Sequence, residues 1–234
     1  MGLFSRKESY LGIDLGTSSV KLVEILNQAG KPRLLTYGLI EQPTDIIKSS
    51  SIDAQRKIVN LLKTLIKRTK AKSTKVVAAL PSFTVFSSII SLPYMSKKDL
   101  NAAIRWEAKK FVPMPLEEMV LDWRILRDRK AEQLSEKTQK EPKNFKVLLT
   151  AAPQSLVKRY IAIFKALELE IVSLETEAFA EIRSLVGKDR STILIVDIGA
   201  LRTNIIIVEN GVPFVTRSIA TGGNGITQTI ARTL

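Results

Sequence analysis

Apolar and polar positions along this chain spell one local pattern twice. Residues 10–25 (YLGIDLGTSSVKLVEI) and 193–210 (ILIVDIGALRTNIIIVEN) each run through β-branched and bulky apolar side chains to an Asp, another apolar residue and a Gly. Each then crosses a turn and resumes with a second apolar run. The pattern predicts two hairpins with a carboxylate near the end of the first strand, Asp14 in one and Asp197 in the other. Around the first hairpin the elements continue as a β-β-β-α-β unit. Gly30, Lys31 and Pro32 mark the turn into a third strand, and Ser51 and Asp53 open an amphipathic helix with Ile58, Leu62, Leu65 and Ile66 as its apolar stripe. The strand VVAAL, closed by Pro81, completes it. Around the second hairpin the unit begins again, with a third strand over Val212–Ile219 and then Ile226, Ile230 and Leu234 at a helical repeat of four.

The stretch between the units departs from that scheme. Residues 84–92 (TVFSSIISL) alternate like a strand, and Ser96 caps a helix carrying Leu100, Ile104, Trp106 and Phe111, which Pro113 and Pro115 stop. Residues 119–126 and 144–151 read as a hairpin around a charged, mobile loop (RDRKAEQLSEKTQKEPK). Together these form a small inserted α+β subdomain. Pro153 opens a further helix with Leu156, Tyr160, Phe164 and Leu167 on its apolar face. A short strand (EIVSL) then leads to Glu175 and the helix TEAFAEIRSL. The expected organisation is a tail over residues 1–9, a first subdomain over 10–82, the insert over 83–151, the remainder of the first subdomain with a connecting helix over 152–190, and the start of a second subdomain over 191–234.

Composition narrows the chemistry. The 234 residues include neither cysteine nor histidine, which excludes zinc fingers, thiol nucleophiles and Ser-His-Asp arrangements. Carboxylates, hydroxyls, amides, Lys and Arg remain, with Mg²⁺ as the metal that suits oxygen ligands. The formal charge of +13 asks for an acidic partner. Much of it accumulates between residues 54 and 98, where no acidic residue occurs and Arg56, Lys57, Lys63, Lys67, Arg68, Lys70, Lys72 and Lys75 do. That stretch is either a solvated helix face or a footprint on anionic lipid or acidic protein. No aromatics interleave with it, so a nucleic-acid platform is not expected. Residues 1–9 (MGLFSRKES) form neither a signal peptide nor a membrane span, and Arg6 stands where a myristoylation signal needs Ser or Thr. They read as a weak surface anchor or a disordered end.

In the first turn, Gly16 lets backbone N–H groups approach an anion, the hydroxyls of Thr17, Ser18 and Ser19 follow, and Lys21 interrupts the next strand. Lys21 ends either at the sheet surface or at a phosphate. The turn alone does not distinguish a phosphate site from an ordinary Gly/Ser hairpin.

YLGIDLGTSSVKLVE resembles the phosphate-binding hairpin of the actin, sugar-kinase and heat-shock chaperone superfamily, and VDIGALRTN its second phosphate hairpin. LETEAFAEIRSL is similar to the connecting helix, and GGNGIT to the turn after the second sheet. Within that superfamily, MGLFSRK set directly before the first hairpin, together with the segment over 92–123 (LPYMSKKDLNAAIRWEAKKFVPMPLEEMVLDW), resembles the PilM family of type IV pilus assembly proteins, relatives of the division protein FtsA.

This resemblance implies an α/β fold of actin-like (ribonuclease H-like) duplicated mixed sheets flanked by helices, with the small α+β insert. It implies ATP between the two hairpins. Gly16, Thr17, Ser18, Ser19 and Lys21 would bind the phosphates, Gly199, Thr203, Gly222 and Gly223 would line the second side, and Asp14 and Asp197 would hold Mg²⁺ through water. Glu175, with Asp197, would orient an attacking water. Ala200, Leu201 and Arg202 stand where vigorous ATPases carry glycines, so slow or negligible turnover is expected. The glycine motif that cups adenosine would lie beyond Leu234, which leaves the chain looking cut. Loss of that contact, about 3–4 kcal/mol, would weaken affinity a hundred- to a thousand-fold.

The family's implied setting is a scaffold, cytoplasmic and peripheral at the inner face of the cytoplasmic membrane. Its implied partners are the N-terminal cytoplasmic tail of PilN, in a groove beside the insert, and the pilus motor and platform proteins. An anionic membrane surface and homo-oligomerisation stay open. The alternatives weighed are an FtsA-like membrane-associated filament former, a small-molecule kinase of the same superfamily, and a nuclease that would need Glu24 as a further carboxylate.

Overall fold

The computed structural model describes residues 8–28, 30–41, 51–126 and 144–234. Most of the N-terminal tail and the loop over 127–143, expected to be mobile, lie outside these residues.

The first unit is a five-stranded mixed sheet. Strands β1 (Glu8–Leu15), β2 (Ser19–Gln28) and β3 (Lys31–Glu41) form an antiparallel meander, and β4 (Lys75–Leu80) and β8 (Glu170–Thr176) extend it in parallel, giving the order β3-β2-β1-β4-β8. Alternation along β1 sends Leu11, Ile13 and Leu15 to one face, where helices α1 (Ile52–Thr69) and α3 (Gln154–Lys165) cover them with Ile58, Leu62, Leu65, Tyr160 and Phe164. Each such fully buried Leu or Ile stabilises the fold by about 1.5–3 kcal/mol. Helix α1 starts where Ser51 accepts the N–H of Ala54, and it lies so close to β3 that a Cβ on Gly38 would meet Thr69 Cγ2 at 2.5 Å. The even positions of β1, Gly12 and Asp14 among them, point to the other face, so the strand's period of two decides that the carboxylate leaves the core.

The chain leaves this sheet after β4 through a 3₁₀ turn (Ser82–Thr84) and builds the insert. Its strands β5 (Phe86–Pro93), β6 (Met119–Leu126) and β7 (Asn144–Pro153) form an antiparallel sheet in the order β5-β7-β6. Helix α2 (Lys97–Ala108) packs Leu100, Ile104 and Ala108 onto it, with Val147 and Leu149 opposite. The strand expected over residues 84–92 thus begins two residues later, because Thr84 Oγ1 donates to the Pro81 carbonyl at 2.7 Å and closes the turn first.

The second unit carries β9 (Ile193–Ile198), β10 (Thr203–Glu209) and β11 (Val212–Ile219) as an antiparallel meander in the order β11-β10-β9. The connecting helix α4 (Glu177–Glu181) continues as a π-helical turn over Ile182–Val186 and buries Ala178, Ile182 and Val186 against Ile195, Ile206 and Val208. Helix α5 (Gly223–Thr233) closes the described chain. None of the described helices is long and apolar enough to cross a membrane.

Candidate functional site

Both hairpins have the same construction. In the first, Leu15 pairs with Val20 and Asp14 with Lys21; in the second, Ile198 pairs with Thr203 and Asp197 with Asn204. The connections are therefore equal in length, Gly16 to Ser19 and Gly199 to Arg202. In each, the residue opposite the aspartate donates to it: Lys21 Nζ to Asp14 Oδ2 at 2.9 Å, and Asn204 Nδ2 to Asp197 Oδ2 at 3.1 Å. The first turn needs its glycine, since a Cβ on Gly16 would meet the Ser19 carbonyl at 2.9 Å, and the second is tight, with a Cβ on Gly199 at 3.1 Å from the Arg202 carbonyl.

The two aspartates share one electrostatic environment, and Glu177 and Glu181 belong to it. Glu177, in the first turn of α4, accepts the N–H of Ser82 at 2.8 Å and lies 3.4 Å from Asn204 Nδ2. Burial pushes its carboxyl up, against the Ser82 N–H and with help from Asp14 and Asp197. One helical turn on, Glu181 is pushed up to about 7 by burial first and then by Asp197, Glu177 and Asp14. Lys21 is the counterweight: burial pulls its ammonium down, and Asp14, then Asp197 and Glu177, more than reverse this, so it titrates above the usual lysine range. Tyr160, buried in α3 beneath the cleft, has its phenol raised by burial, Asp14 and Glu177.

This set fits a hydrated Mg²⁺. Buried acceptor oxygens, Asn204 Oδ1 and Glu181 Oε2, have no partner, and coordinated waters are donors. Among the described residues no three acidic side chains converge closely enough to cage an ion directly. A magnesium that keeps several of its waters is the species such a cleft suits.

The pH dependence carries a sign. Glu181 is raised from 4.5 to about 7 in the folded chain, so between those values the folded state holds a proton that the unfolded state has lost. Its contribution to stability is complete below about pH 4.5 and falls away as pH rises through about 7. We expect Glu181→Gln to stabilise the chain above pH 7 by about 1–2 kcal/mol, discounted for partial exposure, and to leave it unchanged near pH 4. Thermal melts of both chains across pH read this as a difference that opens with rising pH.

The structure brings Gly16, Thr17, Ser18, Ser19, Lys21, Asp14, Asp197 and Gly199 together at these two turns. Glu175 is not with them. It is the penultimate residue of β8, where Arg183 Nη1 donates to Oε2 at 2.7 Å and Arg183 Nη2 to Oε1, and Glu177 is the carboxylate that faces the second hairpin. Thr203 corresponds to Val20 and directs its hydroxyl to the Thr221 carbonyl at 2.8 Å. Gly222 and Gly223 brace the second turn: Gly223 N–H donates to the Gly199 carbonyl and Asn224 N–H to that of Ala200, both at 2.9 Å. A Cβ on Gly222 would lie 2.5 Å from the Gly199 oxygen. Glu24 is committed elsewhere, to the backbone after α1, and gives no support to a nuclease.

Beside the cleft, at the root of the insert, lies a cavity of about 270 Å³. Arg202 stacks over Phe83 at 4.0 Å and lines it with Arg217, and the buried hydroxyls of Ser87 and Ser218 on its wall have no partner.

Comparison with known proteins identifies the family and the fold. The family model described as type IV pilus assembly protein PilM matches residues 12–234. Among solved structures, a PilM-PilN type IV pilus biogenesis complex superposes with a TM-score of 0.80 at 27% identity, over 98% of this chain and 66% of that one. The cytoplasmic domain of EpsL, an inner-membrane component of the Vibrio cholerae type II secretion system, matches at 0.54 and 10% identity, over 91% of this chain and 71% of that one. The ethanolamine utilization protein EutJ of Carboxydothermus hydrogenoformans matches at 0.53 and 18% identity, over 97% and 57%. The last two establish the fold alone, which is the actin-like α/β fold. The chain spans just under two thirds of the length of the pilus protein it matches.

Proposed function

Because this chain belongs to the PilM family of type IV pilus assembly proteins, we propose that it is an actin-like scaffold that binds Mg·ATP by its phosphates between the two hairpins and captures the N-terminal tail of a PilN-like partner. The observation that carries the nucleotide half is the convergence of Asp14, Asp197 and Glu177 around Lys21. In this reading the turn from Gly16 to Ser19 and Lys21 receive the phosphate oxygens. Asp14 and Asp197 hold the hydrated metal that neutralises the phosphates. Glu177 fixes the second hairpin through Asn204, and Glu181 tunes the charge of the cleft. Calorimetry with ATP, with and without Mg²⁺, tests it. Binding that does not need the metal would count against the cleft.

For the partner half, the cavity at the root of the insert is the proposed dock. An extended tail brings backbone donors and acceptors, which suit the unpartnered hydroxyls of Ser87 and Ser218 and the guanidinium of Arg217. Arg202→Ala, which also removes the stack on Phe83, is expected to weaken a labelled PilN tail peptide by about tenfold, read by fluorescence anisotropy. Unchanged affinity in that variant would move the dock away from this cavity. Peripheral placement at the inner membrane then follows from tethering by the partner.

A further inference from the structure

The insert presents a helix face that neither the nucleotide cleft nor the tail dock uses. Along α2, Leu100, Ile104 and Ala108 enter the core of the insert. The opposite stripe, Lys98, Ala102, Arg105, Trp106 and Lys109, faces outward with every member exposed. Trp106 is 68% exposed, an unusual position for the largest apolar side chain. Lys109 holds its ammonium 6.0 Å from the indole ring centre. Among the described residues no carboxylate pairs with Lys98, Arg105 or Lys109. The acids of the helix are occupied, Asp99 by the Ser96 hydroxyl at 2.6 Å and Glu107 by Lys110 at 2.8 Å. The helix is pinned to its sheet by Trp123 Nε1, which donates to Asn101 Oδ1 at 3.2 Å, so the stripe is offered on a rigid support.

An exposed indole with one ammonium over its ring and further cations on the same helix face has the chemistry of a lipid headgroup interface. The ring sits at headgroup depth and the charged ends reach the phosphates. We propose that the outward face of α2 is a docking surface for anionic phospholipid, which places the insert directly against the membrane. The basic face of α1, with Arg56, Lys57, Lys63 and Lys67, has the charge without an aromatic anchor among its own exposed neighbours, so the surface is assigned to α2. The proposal is independent of nucleotide and of the partner tail.

The test uses the whole chain, both unaltered for sedimentation and, for emission, carrying Trp123→Phe, which gives up the bond to Asn101 and leaves Trp106 as the single indole. It is mixed with phosphatidylcholine vesicles with and without phosphatidylglycerol. The expected result is a blue shift of Trp106 emission and co-sedimentation with acidic vesicles only, both lost at high salt. In the two-tryptophan chain, Lys98→Ala, Arg105→Ala and Lys109→Ala together weaken vesicle binding about a hundredfold, a factor of about five per cation. Trp106→Ala weakens it further, and Lys63→Glu with Lys67→Glu on α1 lowers it far less. Thermal melts confirm that each variant folds. No association with acidic vesicles at low salt, which would leave the stripe to an acidic protein, overturns the proposal. So does binding that survives the α2 changes and disappears with the α1 pair.

Discussion

Replacing Glu24 by Ala is expected to lower the thermal unfolding midpoint by about 6–12 °C, the largest stability effect of any single change considered for this chain. Glu24 is 3% exposed, and three donors converge on its carboxylate: Lys72 N–H on Oε2, Ser73 N–H and the Ser9 hydroxyl on Oε1, each at 3.0 Å. The Ser73 hydroxyl closes the set by donating to the Ser9 carbonyl at 2.5 Å. These bonds tie β1, β2 and the connection between α1 and β4 into one corner of the main sheet. Alanine leaves buried backbone N–H groups without acceptors, at a cost of about 3 kcal/mol for the set. Glutamine keeps one acceptor oxygen and should lose about half as much. A melt within 2 °C of the parent chain, with an unchanged urea m-value, would show that water replaces the carboxylate here.

Asp14→Asn carries the largest expected effect on binding. Asp14 is about one-third exposed and its role in the core is small, so the fold should persist while the Mg²⁺-dependent gain in ATP affinity falls about a hundredfold. The readout is the ratio of affinities with and without metal. A general loss of structure would lower both terms, and a metal defect lowers only the first. Glu175→Gln is the matched control, because the Arg183 guanidinium already holds Glu175 at the end of β8. If Glu175→Gln abolishes the metal effect and Asp14→Asn preserves it, the assignment of the cleft is wrong.

The hairpins, the insert and the order of elements were readable from the chain because each rests on a local period. The alternation of Leu11, Ile13 and Leu15 fixes one strand face, and the Ile58, Leu62, Leu65 spacing fixes one helix face. The site was readable only as far as those periods reach. Glu175 and Glu177 are two residues apart, and their roles depend on where β8 stops. The strand runs to Thr176, whose hydroxyl accepts the Phe179 N–H and starts the helix, so Glu175 stays on a strand and Glu177 turns toward the second hairpin. Glu181 had a usable signal, its position four residues after Glu177 on the same helix. The resemblance of VDIGALRTN and GGNGIT to the superfamily's turns is what implies that Thr203, Gly222 and Gly223 face a ligand. The bonds of Thr203 to Thr221 and of Gly223 to Gly199 are long-range facts that no window of sequence displays. Glu24 was considered only as chemistry, and its three donors come from segments far from it along the chain.

The gathering of Asp14, Glu177 and Asp197 around the Lys21 ammonium, with Glu181 beside the same carboxylates, has a kinetic corollary. The chain carries a formal net charge of +13, yet the hollow between the two hairpins is lined by carboxylates. On the proposed reading, uncomplexed nucleotide would be attracted at long range and turned back at the threshold. Admission would go to the species that arrives with its own divalent cation, so the order of arrival would be set by electrostatics before any contact forms.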